Sequence, residues 1–441
     1  MKTLPLLVFY VVIVLVRHDV FPKDEITYLA YAANLLAGHY APTGSEFLWC
    51  GPGYPLLLAP FVAVGAPLIW IKLLNAVLLW GAVLLFHRTL LLYESPRRAG
   101  WIALAFALYW PFFDQMPRVM TEVFTVFLVT ASLHSACHLF RADSTSRARL
   151  FVTAFLLAYL ALTKVLFGYV LLVVVAIGLV AWLVSRRDVH RRALFASGLA
   201  LVLCLPYLVY TFSITGKAFC WATSGGMQLY WMATPHEEEK GDWINYLISA
   251  KNDPTEANPL IRRHGELFSE AFGFEDPTTN NYYVDEPWHE MVLRLDARQD
   301  AVFFDAALEN IADHPGKFAR NWSHNVQRML IDAPYSYRES LPFWKFGVPN
   351  TLLILLILRG ISRRRESPWT RPRELAPIAV FVATYLAGTS LVSAYPRQFY
   401  VVIPFFAWWA TLRSCATAHN GDGKGGTAPG PAAGDHRHDS P

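Results

Sequence analysis

Ten apolar runs constrain this chain more than any other feature. They fall at about 4–16, 67–86, 99–113, 119–140, 149–163, 165–184, 194–214, 341–358, 376–393 and 398–413. They are continuous rather than alternating, so they read as helices crossing a hydrocarbon core roughly 30 Å thick rather than as barrel strands. Charge supports the count. Only 16% of the 441 residues are charged and 54% are hydrophobic, against about 25% charge in an ordinary soluble domain. The arginines gather in every second gap: Arg88, Arg97 and Arg98; Arg141, Arg147 and Arg149; Arg186, Arg187, Arg191 and Arg192; then Arg359, Arg363, Arg364, Arg365, Arg371 and Arg373. The short gaps between carry only Arg17, Lys23, Arg118, Lys164 and Arg397. By the positive-inside rule, both termini are cytoplasmic and residues 17–66 face outward. The expected location is the inner (plasma) membrane, crossed many times.

The fold expected is all-α and polytopic, with about ten transmembrane helices, outer juxtamembrane helices and a helical extracytoplasmic loop domain. Four parts follow: a membrane module over 1–215, the loop domain over 216–340, the last three spans over 341–413, and a disordered cytoplasmic tail over 414–441. Lys2 and the run Leu4–Val16 resemble a leader, but Arg17-His18-Asp19 follows where a small-residue cleavage site would stand, so the run reads as a retained first span. Residues 54–64 are apolar but short and proline-flanked. They read as an interfacial or re-entrant helix, because one more span would invert every later loop. The loop domain holds 20 acidic residues against 11 lysines and arginines. Within it, Trp288–Asp313 has helical apolar spacing and Pro315–Leu330 opens with proline, as a first turn does. The net charge of +4 says little by itself, and nothing in the sequence suggests nucleic acid as a partner. Five cysteines show no CxxC spacing. Cys137 and Cys204 read as buried fillers, and a Cys50–Cys220 disulfide is left open.

The chemistry-bearing residues converge on the outward side. Asp24 and Glu25 open a helix with an apolar stripe at Ile26, Leu29, Ala30, Ala33 and Leu36. Locally they are a helix cap and a dipole-favoured acid; at the membrane surface they also border any cavity in the bundle. Glu122, after Pro117 and Arg118, is either a first-turn acid near the interface or a carboxylate facing protein. Lys164 and Arg397 sit at outward turns, each readable as a snorkelling anchor. Together, carboxylates and cations on one rim suit sugar transfer from a lipid phosphate to an acceptor hydroxyl: the hydroxyl needs a base and the departing phosphate needs fixed positive charge. A transporter or lipid flippase is the alternative, and would place charges near the midplane with internal symmetry. A non-catalytic scaffold is the other, and would make the acid pair dispensable.

These residues resemble the polytopic GT-C glycosyltransferases, in the bacterial branch of protein O-mannosyltransferases and lipid A aminoarabinose transferases. The likeness rests on Asp24-Glu25-x-x-Tyr28 with Gly38 behind it, on Gly51-Pro52-Gly53-Tyr54-Pro55 followed by Lys72-Leu-Leu-Asn75, on Arg118-Val-Met-Thr-Glu122, on Ser224-Gly-Gly-Met-Gln-Leu-Tyr230, and on Arg397 before Pro404. It implies a polyprenyl-phosphate sugar as donor, Asp24 as base with Glu25 beside it, Glu122 as a second acid, Lys164, Arg397 and Arg118 at the donor phosphate, and Tyr28, Tyr54 and Tyr230 along the substrate groove. Some relatives use a divalent metal and others none; the five histidines of 216–340 permit one without specifying it. Where many members carry Lys-Pro-Pro, this chain has Cys50-Gly51-Pro52, so a phosphate contact is lost or supplied by Lys164. The acceptor stays unspecified.

Overall fold

The computed structural model describes residues 3–19, 24–42, 46–141, 146–242, 263–264, 267, 296–336, 343–362 and 374–411, the side chains of 24, 357–362 and 411 excepted. Among these residues all regular structure is helical. The helices are α1 (Leu4–Val16), α2 (Asp24–Leu36), α3 (Gly53–Ala63), α4 (Leu68–Leu90), α5 (Pro96–Ala107), α6 (Pro111–Gln115), α7 (Thr121–Arg141), α8 (Arg147–Thr163), α9 (Leu166–Ser185), α10 (Asp188–Leu203), α11 (Leu205–Thr215), α12 (Gly225–Met232), α13 (Ala297–Asp313), α14 (Pro315–Ile331), α15 (Phe343–Ser362), α16 (Leu375–Ser390), α17 (Pro396–Tyr400) and α18 (Ile403–Thr411).

Every predicted span coincides with helix, but length separates them. Among the described residues, three helices, α4, α7 and α9, are long and apolar enough to cross a membrane, and α10 with α11 makes a fourth if that pair, bent by 49°, is one span. The bend falls at Pro206, which has no N–H for the helical ladder and whose ring clashes with the preceding turn. The predicted span 99–113 is two helices, broken before Pro111, and 398–413 is likewise split between α17 and α18. The short helix expected at 54–64 is α3. The predicted helix Trp288–Asp313 is described from Ala297 onward, where Asp296 caps it with a full capping box; residues 288–295 and the tail 414–441 lie outside the described residues.

Packing follows the apolar faces. Helix α7 lies against α4 and α8, and α10 against α8 and α9. Of the apolar window of α7, 72% is buried, against 39% for α4 and 33% for α9. Helix α7 is therefore the enclosed one, and its first turn carries Glu122. Helix α9 instead shows Leu172, Val173, Ile177, Val180 and Val184 at its surface, the apolar exterior that lipid tolerates and water does not. Helices α12 and α13 build a second apolar cluster around Met227, Tyr230, Trp231 and Phe303. No disulfide joins Cys50 to Cys220: Cys50 Sγ lies 3.4 Å from the Tyr40 hydroxyl, and Cys220 Sγ points at the Ala222 carbonyl. The disulfide left open by the sequence is not formed.

Candidate functional site

Gly51-Pro52-Gly53 explains how α3 reaches the site. A Cβ at Gly51 would stand 2.1 Å from the Leu162 carbonyl oxygen, and one at Gly53 would stand 2.5 Å from Thr163 Oγ1. Backbone therefore touches backbone where α8 ends, and only glycine allows that approach. The contact seats Tyr54, 1% exposed, beside the turn that carries Lys164. Tyr28 of α2 packs edge-on against Tyr54, ring centroids 5.2 Å apart.

Helix α4 supplies the second support. Asn75, buried, donates to the carbonyls of Met116 (3.1 Å) and Arg118 (2.7 Å), pinning the turn that opens α7. One turn earlier, Lys72 donates to the His18 carbonyl at 2.8 Å and stands 3.9 Å from Glu25 Oε1. Glu25 Oε2 in turn accepts from the Val119 N–H at 3.3 Å. The acid pair, the lysine of α4 and the start of α7 are thus one assembly. Burial pushes the Glu25 carboxyl up from the ordinary value, against the opposing pull of Lys72 and the Val119 N–H.

At the start of α7, Glu122 Oε1 pairs with Lys164 Nζ at 3.1 Å, the side chains 2% and 17% exposed. Arg397 lies within electrostatic reach of the same carboxylate. The Tyr54 hydroxyl is within reach of both Glu122 and Glu25, and the Tyr400 hydroxyl within reach of Glu122, Arg397 and Arg118. Five buried polar atoms of this group have no hydrogen-bond partner among the described residues: Glu25 Oε1, Tyr54 OH, Arg118 Nε, Glu122 Oε2 and Tyr400 OH. Buried polar groups are nearly always satisfied, because each orphan costs about 1–3 kcal/mol. A concentration of them around two carboxylates and four cations is the pattern of a site that takes a polar ligand.

An apolar cleft of about 70 Å³ begins on the same helices. Val129 and Leu133 of α7, Leu157 and Leu160 of α8, Phe381 of α16, and Val402 and Phe405 line it. Leu160 is one turn from Lys164, and Val129 two turns from Glu122, roughly 6 and 10 Å along the helix axes. Polar cluster and apolar cleft are therefore adjacent.

The structure brings together Glu25, Glu122, Lys164, Arg118, Arg397, Tyr28 and Tyr54 among the residues singled out by sequence. The side chain of Asp24 lies outside the described residues; its backbone opens α2. Tyr230 stands apart: it is 3% exposed and packs on Phe303, centroids 5.2 Å away, in the cluster of α12 and α13. Lys72 and Tyr400 were not assigned roles by sequence reasoning. A lysine in the second turn of an apolar span was the available signal for Lys72. Nothing local marks Tyr400, whose placement depends on the chain break after α17. No group of three or more His, Cys, Asp or Glu residues poised for a metal occurs among the described residues.

No family model matches the chain, and no curated protein matches it. Among solved structures it is similar to ArnT from Cupriavidus metallidurans bound to undecaprenyl phosphate, at 13% identity and a TM-score of 0.41, over 95% of this chain and 80% of that one.

Proposed function

We propose that this chain is a membrane glycosyltransferase that moves a sugar from a polyprenyl-phosphate donor to an extracytoplasmic acceptor, with inversion at the anomeric carbon. One observation carries the reading. Lys164 pairs with Glu122, and Arg397 and Arg118 lie within electrostatic reach of the same group of orphaned carboxylate and hydroxyl atoms, where α7 and α8 begin to line an apolar cleft. A lipid phosphate has that shape, an anionic head on a long apolar tail.

In the proposed reaction the acceptor hydroxyl gives its proton to Asp24, and its oxygen attacks the anomeric carbon. The bond from that carbon to the phosphate oxygen breaks, and its electron pair stays on the phosphate. Lys164, Arg397 and Arg118 stabilise the charge that develops there. Glu25, tied to Lys72 and the Val119 N–H, fixes the end of α2 and so the position of its neighbour. Glu122 orients Lys164 through Oε1 and leaves Oε2 for a sugar hydroxyl. Base and phosphate lie on opposite faces of the sugar in a single displacement, which gives inversion.

The test is transfer of label from a panel of polyprenyl-phosphate sugars to crude envelope acceptors, comparing wild type with Asp24→Asn. A loss of about a hundredfold or more, in the range for a general base, with donor binding retained, supports the assignment. Unchanged transfer removes Asp24 as base. Absence of transfer with every donor, together with wild-type movement of polyprenyl phosphate between vesicle leaflets, replaces the transferase reading with a flippase.

A further inference from the structure

Helix α14 carries a buried polar stripe that no catalytic step uses. Lys317, Asn321, Asn325 and Arg328 lie along one face, the last three 0% exposed. Burying such groups is costly unless every donor and acceptor is used, so what they hold is informative.

Asn325 is fully used. Its Nδ2 donates to the carbonyls of Ser390 (2.8 Å) and Val392 (2.6 Å), and its Oδ1 accepts from the Ala394 N–H (2.8 Å) and from Arg328 (2.9 Å). Arg328 uses all five of its N–H groups, on Ala394, Lys240, Pro334, Gly241 and Asn325. Its guanidinium also lies over the rings of Tyr335 and Tyr395, 5.6 and 5.9 Å from their centroids. Everything gripped between Ser390 and Tyr395 is the turn leading directly into α17. That helix has five residues, too few to hold itself. It carries Arg397 and Tyr400 into the cluster around Glu122, and Arg397 itself lies over the Tyr395 ring at 5.9 Å.

We infer that Asn325 and Arg328 are positioning residues for phosphate recognition: by fixing the 390–395 turn they set where Arg397 and Tyr400 stand, and so link the segment between α12 and α15 to the donor site. This rests on the donor-site reading of Arg397. Asn321 provides the contrast. It has the same chemistry on the same face, donating to Met232 and Thr234 and accepting from Lys317, but it does not touch the turn.

The test measures binding of undecaprenyl phosphate and of the uncharged alcohol undecaprenol to the full chain in detergent, by quenching of tryptophan fluorescence. Asn325→Asp, Asn321→Asp and Arg397→Gln are compared. Each Asp variant loses two donors and gains a charge beside an existing cation, so the two destabilise similarly. Misplacement by about 1 Å can cost up to a hundredfold at a reacting centre. We expect N325D to weaken undecaprenyl phosphate by roughly tenfold relative to N321D, with undecaprenol binding equal in both. Equal phosphate affinities in N325D and N321D, with R397Q weakened, overturn the positioning role alone. Wild-type phosphate affinity in R397Q overturns the donor-site reading, and this inference with it. If N325D does not fold, Arg328→Lys replaces it. That change keeps the charge but loses the fork that spans several carbonyls, and the same phosphate-specific loss is expected; its absence overturns the role.

Discussion

Breaking the Glu122–Lys164 pair by Lys164→Met tests the centre of the site. At 3.1 Å and an effective dielectric of 20, the gross attraction is about 5 kcal/mol, much of it offset by the desolvation of both groups. Removal of one partner is the costlier change, because Glu122, 2% exposed, would keep its charge without its nearest cation. Such losses run to about 3–5 kcal/mol. Arg397 remains within reach of the carboxylate, so the lower end of that range is expected. Replacing both partners, Lys164→Met with Glu122→Gln, removes the stranded charge and should recover most of the stability without recovering phosphate affinity. The assay is a double-mutant cycle on unfolding in detergent, with undecaprenyl phosphate binding measured on the same four proteins. A single variant that melts like wild type and binds phosphate like wild type would refute the reasoning. So would a double variant no more stable than K164M, since the cost would then not lie in the stranded carboxylate.

Four other outcomes are expected. Gly53→Ala puts a methyl group 2.5 Å from Thr163 Oγ1, so α3 must retreat from the α8 end; we expect a loss of about 1–3 kcal/mol and weakened phosphate binding, whereas wild-type melting and binding would contradict the close approach. Glu25 has a raised folded pKa from burial, so the folded state holds the proton more tightly than the unfolded chain. Its contribution to stability is then greatest below the unfolded value of about 4.3 and declines as pH rises through the window up to the folded value; melting against pH should show that slope, and Glu25→Gln should flatten it. A cysteine placed in the arginine-rich segment 359–375 should react with an impermeant reagent only after permeabilisation; labelling in intact cells would overturn the topology. Cys50 and Cys220, separately engaged and not joined to each other, should give identical gel mobility with and without reductant in a chain lacking the other cysteines.

Several parts of the site were legible in the sequence because they are local. The acid pair at the head of α2, the glycines before Tyr54 and the glutamate opening α7 each announce themselves by violating their surroundings: charge in an apolar run, or glycine beside proline. The break at Pro206 was equally written in the chain, yet the run 194–214 reads as one span by composition alone, since hydropathy has no term for a bent ladder. Tyr230 shows the reverse. Its motif stands next to the others in chain order, but its ring prefers the apolar cluster with Phe303. Lys72, which the sequence offered only as part of a motif, is 1% exposed between α1, α2 and α4.

The sequence by itself determined that this chain is helical and that its long apolar runs belong in a membrane. Both follow from properties summed along neighbouring residues: transfer of apolar surface out of water, and the need to satisfy each backbone group within its own helix. Only the tertiary structure decided that Glu25 meets Lys72 and Val119, that Glu122 meets Lys164, and that a turn held by Asn325 and Arg328 delivers Arg397 and Tyr400 to the same place. These contacts join residues far apart in the chain. They depend on which helix faces pack and where a few backbones approach within contact distance, and no property of a single segment encodes that.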